Sequence, residues 1–172
     1  MLFRSIEAGA TTSFVKPAMY SIAIQTTMTG AFQHVLWHPG DGSLTNLSTC
    51  DGGPSSLGQT LMNVHSSQLA ADYPSTIAIF NTGSSAAFAT LGIYNATTGT
   101  RLATYNTASI PANGQLALAA TTLEAATGLG SGTLFHYIIK IQNQFTGYLQ
   151  HLVNNSRSGV TTDMTAVCSL VH

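Results

Sequence analysis

Charge is what this chain has least of. Charged residues make up 6% of its 172 positions, against about 25% in ordinary soluble domains. Five Lys and Arg are present in all, and Arg4, Lys16, Arg101, Lys140 and Arg157 are scattered along the sequence. A phosphate backbone is neutralised by clustered cations, so nucleic acid is not an expected partner. No apolar run approaches the roughly 20 residues of a membrane-spanning helix, so no membrane span is expected. Met1, Leu2 and Phe3, broken by Arg4, are too short an apolar stretch for a signal peptide. There is one Trp and there are two Cys. Nothing has the C-x-x-C spacing of a metal or redox motif, and no cofactor is expected.

What is present is apolar and uncharged-polar. Hydrophobic residues reach 44% and the formal net charge is −1, whereas disorder goes with low hydrophobicity and high charge. The chain should therefore fold, with a surface of Ser, Thr, Asn, Gln and Gly. Such a surface suits extracellular, assembled or virion proteins better than cytosolic enzymes.

The chain also repeats itself. Residues 5–49 align without a gap on residues 122–166 at an offset of 117, with 12 of 45 positions identical. Eight of these fall in the 15 positions from Tyr20 to His34, matched to Tyr137 through His151. The chain thus opens inside one repeat unit and closes at the end of the next. Met1 is then a fragment start, the end of a processed chain, or the start of a product completed by a neighbour. Cys50 and Cys168 end their respective copies, one residue out of register. They are placed for a disulfide if the copies pack side by side in an oxidising compartment; otherwise each is a buried thiol filling its own core.

The periodicity is β throughout. Runs rich in β-branched and aromatic residues alternate with Gly, Asn, Pro and Ser every 8–12 residues, the spacing of a sandwich or barrel. Strands are expected over 18–26, 30–38, 43–49, 75–82, 87–95, 100–106, 115–120, 134–143, 147–154 and 160–168. Leu61 to Val64 is a further candidate. Ile77, Ile79 and Asn81 alternate with Ala78 and Phe80, which calls for one buried face. Thr97, Thr98 and Gly99 read as the turn of a hairpin. The one helical signal is Thr122 to Ala126, capped by Thr121 or Thr122, with a twin at Ser5 to Ala8. The composition of 51–60 is that of a loop. It divides a partial repeat over 1–50, a β-hairpin extension, from a complete unit over 61–172.

A short turn carrying an acid (Glu124, Glu7), followed by a strand with Tyr near its start (Tyr137, Tyr20), is similar to the E–F corner of immunoglobulin-like sandwiches. That resemblance covers roughly 75–154. It implies that 134–143 is strand F, that 147–154 is strand G, and that 75–120 supplies B, C, C′ and E. The buried Trp and the B–F cysteine pair of antibody domains are absent. The expected fold is thus all-β: an immunoglobulin-like sandwich whose N-terminal extension duplicates its last strands. The chain also resembles secreted bacterial β-sandwich repeat proteins at the level of architecture.

A lone hairpin is marginal in water, and open strand edges invite pairing. The half unit is completed by upstream strands, by packing on the full unit as a second layer, or by another subunit. The latter two are favoured, with Tyr20, Ile22, Ile24, Phe32, Val35 and Trp37 as assembly residues.

Chemistry-bearing residues are sparse. His34 and His151 are equivalents in a Gln-His pair. Without a second ligand nearby, each reads as a strand histidine bonded to backbone rather than a metal ligand. His38 lies four residues after His34, about 13 Å along a strand, which is too far to share one ion. His65 and His136 belong to no recognisable Ser/His/Asp spacing, and there is no G-x-S-x-G. Glu7 and Glu124 fit the corner turn better than acid–base work. The glycines at 128, 130 and 132 neither open a helix nor precede a P-loop lysine. Asn46, Asn95 and Asn154 fit the N-glycosylation pattern.

No enzyme is expected. The leading expectation is a structural subunit of an extracellular surface layer, fibre or adhesive filament, with itself as partner. A phage or virion structural protein is the first alternative. A carbohydrate-binding module, with Trp37 and His38 as a platform for surface glycans, is the second.

Overall fold

The computed structural model describes residues 35–37, 40, 44–46, 59–130 and 134–165. The strands are β1 (Val35–Trp37), β2 (Leu44–Asn46), β3 (Thr60–His65), β4 (Ser75–Asn81), β5 (Thr90–Asn95), β6 (Arg101–Asn106), β7 (Gln115–Ala119), β8 (His136–Ile141), β9 (Gly147–Asn154) and β10 (Thr161–Asp163). One helix, α1 (Ala120–Thr127), and a 3-10 turn over Ser67–Leu69 complete the set.

Two four-stranded antiparallel sheets, ordered β10-β9-β4-β7 and β3-β8-β5-β6, form a β-sandwich. The expected period of two is met on β4, where Ile77, Ile79 and Asn81 are buried and face the second sheet's Leu91, Ile93 and Ile139 in one core. On β3 a register shift between Leu61 and Val64, with Asn63 at φ 54, turns both apolar side chains inward. Such a bulge inserts a residue without losing the face, and Asn tolerates the left-handed region.

The β5–β6 hairpin turns where the sequence places it. Asn95 Oδ1 accepts the Thr97 and Thr98 N–H groups at 2.8 and 3.1 Å, and Gly99 takes φ 71. The β9–β10 hairpin repeats this chemistry: Asn155 Oδ1 accepts the Arg157 and Ser158 N–H groups at 3.0 and 3.2 Å, and Gly159 takes φ 73.

Two expectations are corrected. β8 and β9 do not pair as a hairpin of strands F and G. β8 lies between β3 and β5, and β9 lies between β10 and β4. The 142–146 link carries the chain from one sheet to the other around the buried Phe145. Asn143 fixes that crossing by accepting the Thr90 N–H at 2.8 Å and donating to the Phe88 carbonyl at 3.0 Å. The helix begins earlier than the Thr cap predicts: its N-cap is Ala119, with no side-chain cap bond. It runs two turns because Leu123 and Glu124 are buried beneath it. It ends on Gly128 at φ 69, whose N–H donates to the Glu124 carbonyl.

β1 and β2 form a separate antiparallel pair, and β2 runs beside β10. Their register is Val35–Asn46, Leu36–Thr45 and Trp37–Leu44. Shifted by 117, those become Leu152–Asp163, Val153–Thr162 and Asn154–Thr161, which are the three pairs of β9 with β10. In its described strands, the first copy of the repeat therefore pairs as the second does.

Candidate functional site

The features that distinguish this chain converge on the way its second repeat copy, 122–166, is seated on the framework formed by residues 60–119. Three contacts hold it.

The first is under the helix. Glu124 is buried, and its Oε1 accepts the Tyr137 hydroxyl at 2.8 Å and the Ser67 N–H at 3.0 Å. The carboxylate thus ties α1 to β8 and to the turn after β3. Burial first, and then the Glu124 hydrogen bond and charge, raise the Tyr137 phenol above its usual range. The acid and the tyrosine singled out by sequence are therefore partners. The bond goes to a carboxylate, where a tyrosine corner uses backbone.

The second is at the start of β9. Gly147 takes φ 153, and a Cβ there would stand 1.8 Å from the Phe80 carbonyl oxygen of β4. No side chain fits while β9 and β4 are paired.

The third joins the two sheets. Ser75 Oγ lies 2.8 Å from His151 Nε2 and accepts the His65 backbone N–H at 3.0 Å. A hydroxyl has one proton and two lone pairs, so Ser75 can hold both the His65 N–H and the His151 ring in either tautomer of the imidazole. The ring is buried, and the Met62 backbone also bonds to it. Around it are His65, 6.3 Å away between ring centroids, and His136, 5.2 Å from His65; Tyr73 lies edge-on to His65 at 6.4 Å.

Burial first, and His65 second, push the His151 imidazole down to about 4. The Met62 backbone and the Asp163 carboxylate act the other way. His136 is lowered for the same two reasons, burial and then His65. His151 is 0% exposed and Ser75 3%. A serine nucleophile must meet substrate, so this pair serves as a strut between β3, β4 and β9. Among the described residues no group of three or more His, Cys, Asp and Glu is arranged to hold a metal ion.

The outer side of β9 is fully spoken for along 149–153. Gln59 Nε2 donates to the Leu149 carbonyl at 2.9 Å, and Gln59 Oε1 accepts its N–H at 2.8 Å. Thr165 Oγ1 accepts the His151 N–H at 2.9 Å, the Met164 N–H donates to the His151 carbonyl at 2.8 Å, and β10 pairs with Val153. Gln150 points away from the core, donating to Asp163 Oδ2 at 2.9 Å. In the Gln-His pair, then, His faces inward and Gln outward, and the histidine meets the Ser75 hydroxyl as well as the Met62 backbone.

Of the residues expected at an assembly surface, Val35 and Trp37 lie in β1. Tyr20, Ile22, Ile24 and Phe32, together with His38, Cys50 and Cys168, lie outside the described residues. The Ser75–His65–His151 cluster was not legible in the sequence, since its members are 10 to 86 positions apart and only the sandwich brings them together. Comparison with protein-family models, with curated proteins and with solved structures finds no match to this chain.

Proposed function

We propose that the chain is a non-catalytic structural subunit of an extracellular assembly, such as a surface layer, a fibre or an adhesive filament, built through β-strand contacts between subunits. The observation that carries this reading is the shared register of β1–β2 and β9–β10. In its described strands the first repeat copy pairs as β9 and β10 do, and an open strand edge invites a β partner. Tyr20, Ile22, Ile24, Phe32, Val35 and Trp37 are its interface residues. The low charge of 6% supports the reading, because like-charged surfaces resist close assembly.

The sandwich itself reads as immunoglobulin-like in a loose sense. Pairing of β4 with β7, of β5 with β8 and of β5 with β6 supports the B–E, C–F and C–C′ neighbours of that fold. The first and last strands depart from it by exchanging sheets: β3 borders β8, and β9 borders β4.

Negative-stain imaging of the purified protein tests the proposal. Filaments, sheets or closed multimers are expected. A field of uniform single particles of monomer size at high concentration would overturn it.

A further inference from the structure

The few basic side chains are unevenly shared between the two sheets. Arg157 pairs with Asp72 at 3.1 Å in the loops. Arg101 and Lys140, the other two Lys and Arg among the described residues, stand together on the outer face of the β3-β8-β5-β6 sheet. The register places them there. Lys140 of β8 lies opposite Gly92 of β5, and Gly92 lies opposite Thr104 of β6. Arg101, across from Tyr94, runs its guanidinium back along β6 to donate to the Thr104 hydroxyl. Leu91, Ile93 and Ile139 point into the core, so Gly92, Tyr94 and Lys140 point outward, as alternation along a strand requires. Neighbouring strands about 4.8 Å apart put the Lys140 and Thr104 backbones about 10 Å from each other.

Between the two cations an aromatic ring rests on bare backbone. A Cβ at Gly92 would stand 2.9 Å from Tyr94 Cε2 and 3.1 Å from the Gln142 side chain. The Tyr94 ring therefore reaches back across Gly92, which is buried although it lies on an outer face. Tyr94 itself stays partly exposed, and Arg101, Thr104 and Lys140 are exposed around it. The described acids are elsewhere. Asp72 holds Arg157, Glu124 is buried against Tyr137, and Asp163 accepts from Gln150 on the other sheet. Neither Arg101 nor Lys140 meets a carboxylate among the described residues.

We propose that this face binds an acidic glycan, a sugar chain carrying carboxylates or sulfates, with Tyr94 as the platform and Arg101 and Lys140 as the anion contacts. The face of an aromatic ring offers apolar area to the C–H side of a sugar ring while its hydroxyl stays wet. Cations on both sides of that ring select negative charge, and the planar Arg fork matches the oxygens of a carboxylate or sulfate. An acidic peptide adding itself as a strand would need a free backbone edge. Here β8 and β5 are interior strands, paired on both sides, so recognition falls to side chains on a flat surface. The site belongs to the sandwich alone and holds whether or not the chain assembles.

Calorimetric titration of the full chain tests it, with oligogalacturonate as the carboxylated probe, a sulfated galactan oligosaccharide as the sulfated one, and neutral galactan as the control. One or both acidic sugars are expected to bind at least tenfold more tightly than the neutral one, and severalfold more weakly at 200 mM than at 50 mM salt. Which of them binds names the anion. Arg101→Gln with Lys140→Gln should weaken binding roughly tenfold, and Tyr94→Ala should do the same. Both cations are exposed, so an unchanged unfolding midpoint is expected of their double variant, and that variant decides the matter even if Tyr94→Ala misfolds.

Absence of binding by either acidic sugar at millimolar concentration would overturn the proposal, as would equal binding of neutral galactan. Binding that survives these variants and falls with Trp37→Ala would place the site elsewhere and overturn it too. Polyglutamate bound as tightly as the acidic sugars would reduce the face to a contact for any anion and overturn the glycan as its ligand.

Discussion

Acidification from pH 7 to pH 4 should strip this protein of about 3 kcal/mol of stability through His151 alone. In the unfolded chain the imidazole titrates near about 6.5. In the folded chain burial and His65 push it down to about 4. Below its ordinary value the unfolded state binds a proton that the folded state refuses, so stability rises with pH. The loss begins as pH falls through about 6.5 and is complete near pH 4, where the folded form also protonates. The drop from about 6.5 to about 4, at about 1.4 kcal/mol for each tenfold change in proton affinity, gives the 3 kcal/mol, a large share of the 5–15 kcal/mol typical of a domain.

His136 is lowered too and adds in the same direction. The chain has little else to offset this. Its formal charge is −1 with His neutral and its six His would carry that to −1 + 6 = +5, so histidines dominate the response to acid. The assay is thermal unfolding at pH 7.5, 6.5, 5.5 and 4.5, on the wild type and on His151→Gln. The wild-type midpoint should fall by about 10 °C across the series, and the Gln variant should start lower but lose less than half as much. Parallel curves for the two proteins would refute the assignment of the acid response to His151.

Further outcomes follow from the other contacts. Tyr137→Phe removes one of the two hydrogen bonds on the buried Glu124 carboxylate and should cost about 1–3 kcal/mol in urea unfolding. The raised Tyr137 phenol implies a pH dependence of opposite sense: its contribution is intact below about pH 10 and is lost as pH rises beyond that. Ultraviolet titration should therefore find one tyrosine that ionises only with alkaline unfolding. Gln59→Ala frees both backbone groups of Leu149, and amide exchange at Leu149 should speed by roughly tenfold, as a loss of about 1.4 kcal/mol implies. Trp37→Ala, in β1 opposite Leu44, should weaken self-association by about 2 kcal/mol, roughly 30-fold, with the sandwich's unfolding midpoint unchanged. Loss of fold without specific loss of assembly would make Trp37 a packing residue only.

The strand pattern was legible because each segment carries its own period. Ile77, Ile79 and Asn81 alternate cleanly, and Asn95 with Gly99 writes a turn in four residues. The repeat was legible because Tyr137, Ile139 and Ile141 recur at one offset as Tyr20, Ile22 and Ile24. What the sequence could not reveal is which strand lies beside which. β8 and β9 look like a hairpin by spacing, yet the buried Phe145 and the two Asn143 bonds carry the chain across to the other sheet. The histidine strut was hidden for a related reason. Ser75, His65 and His151 gain their roles only when β3, β4 and β9 come together. The helix start was missed because Thr121 and Thr122 are good caps locally, while burial of Leu123 and Glu124 draws the helix back to Ala120.

Light scattering across a concentration series tests the central claim most directly. The wild-type chain should exceed its monomer mass of 17.9 kDa increasingly as concentration rises, and Trp37→Ala should fall back toward it. A wild-type mass fixed at 17.9 kDa throughout would contradict the account, because the first repeat copy would then be satisfied without a neighbour.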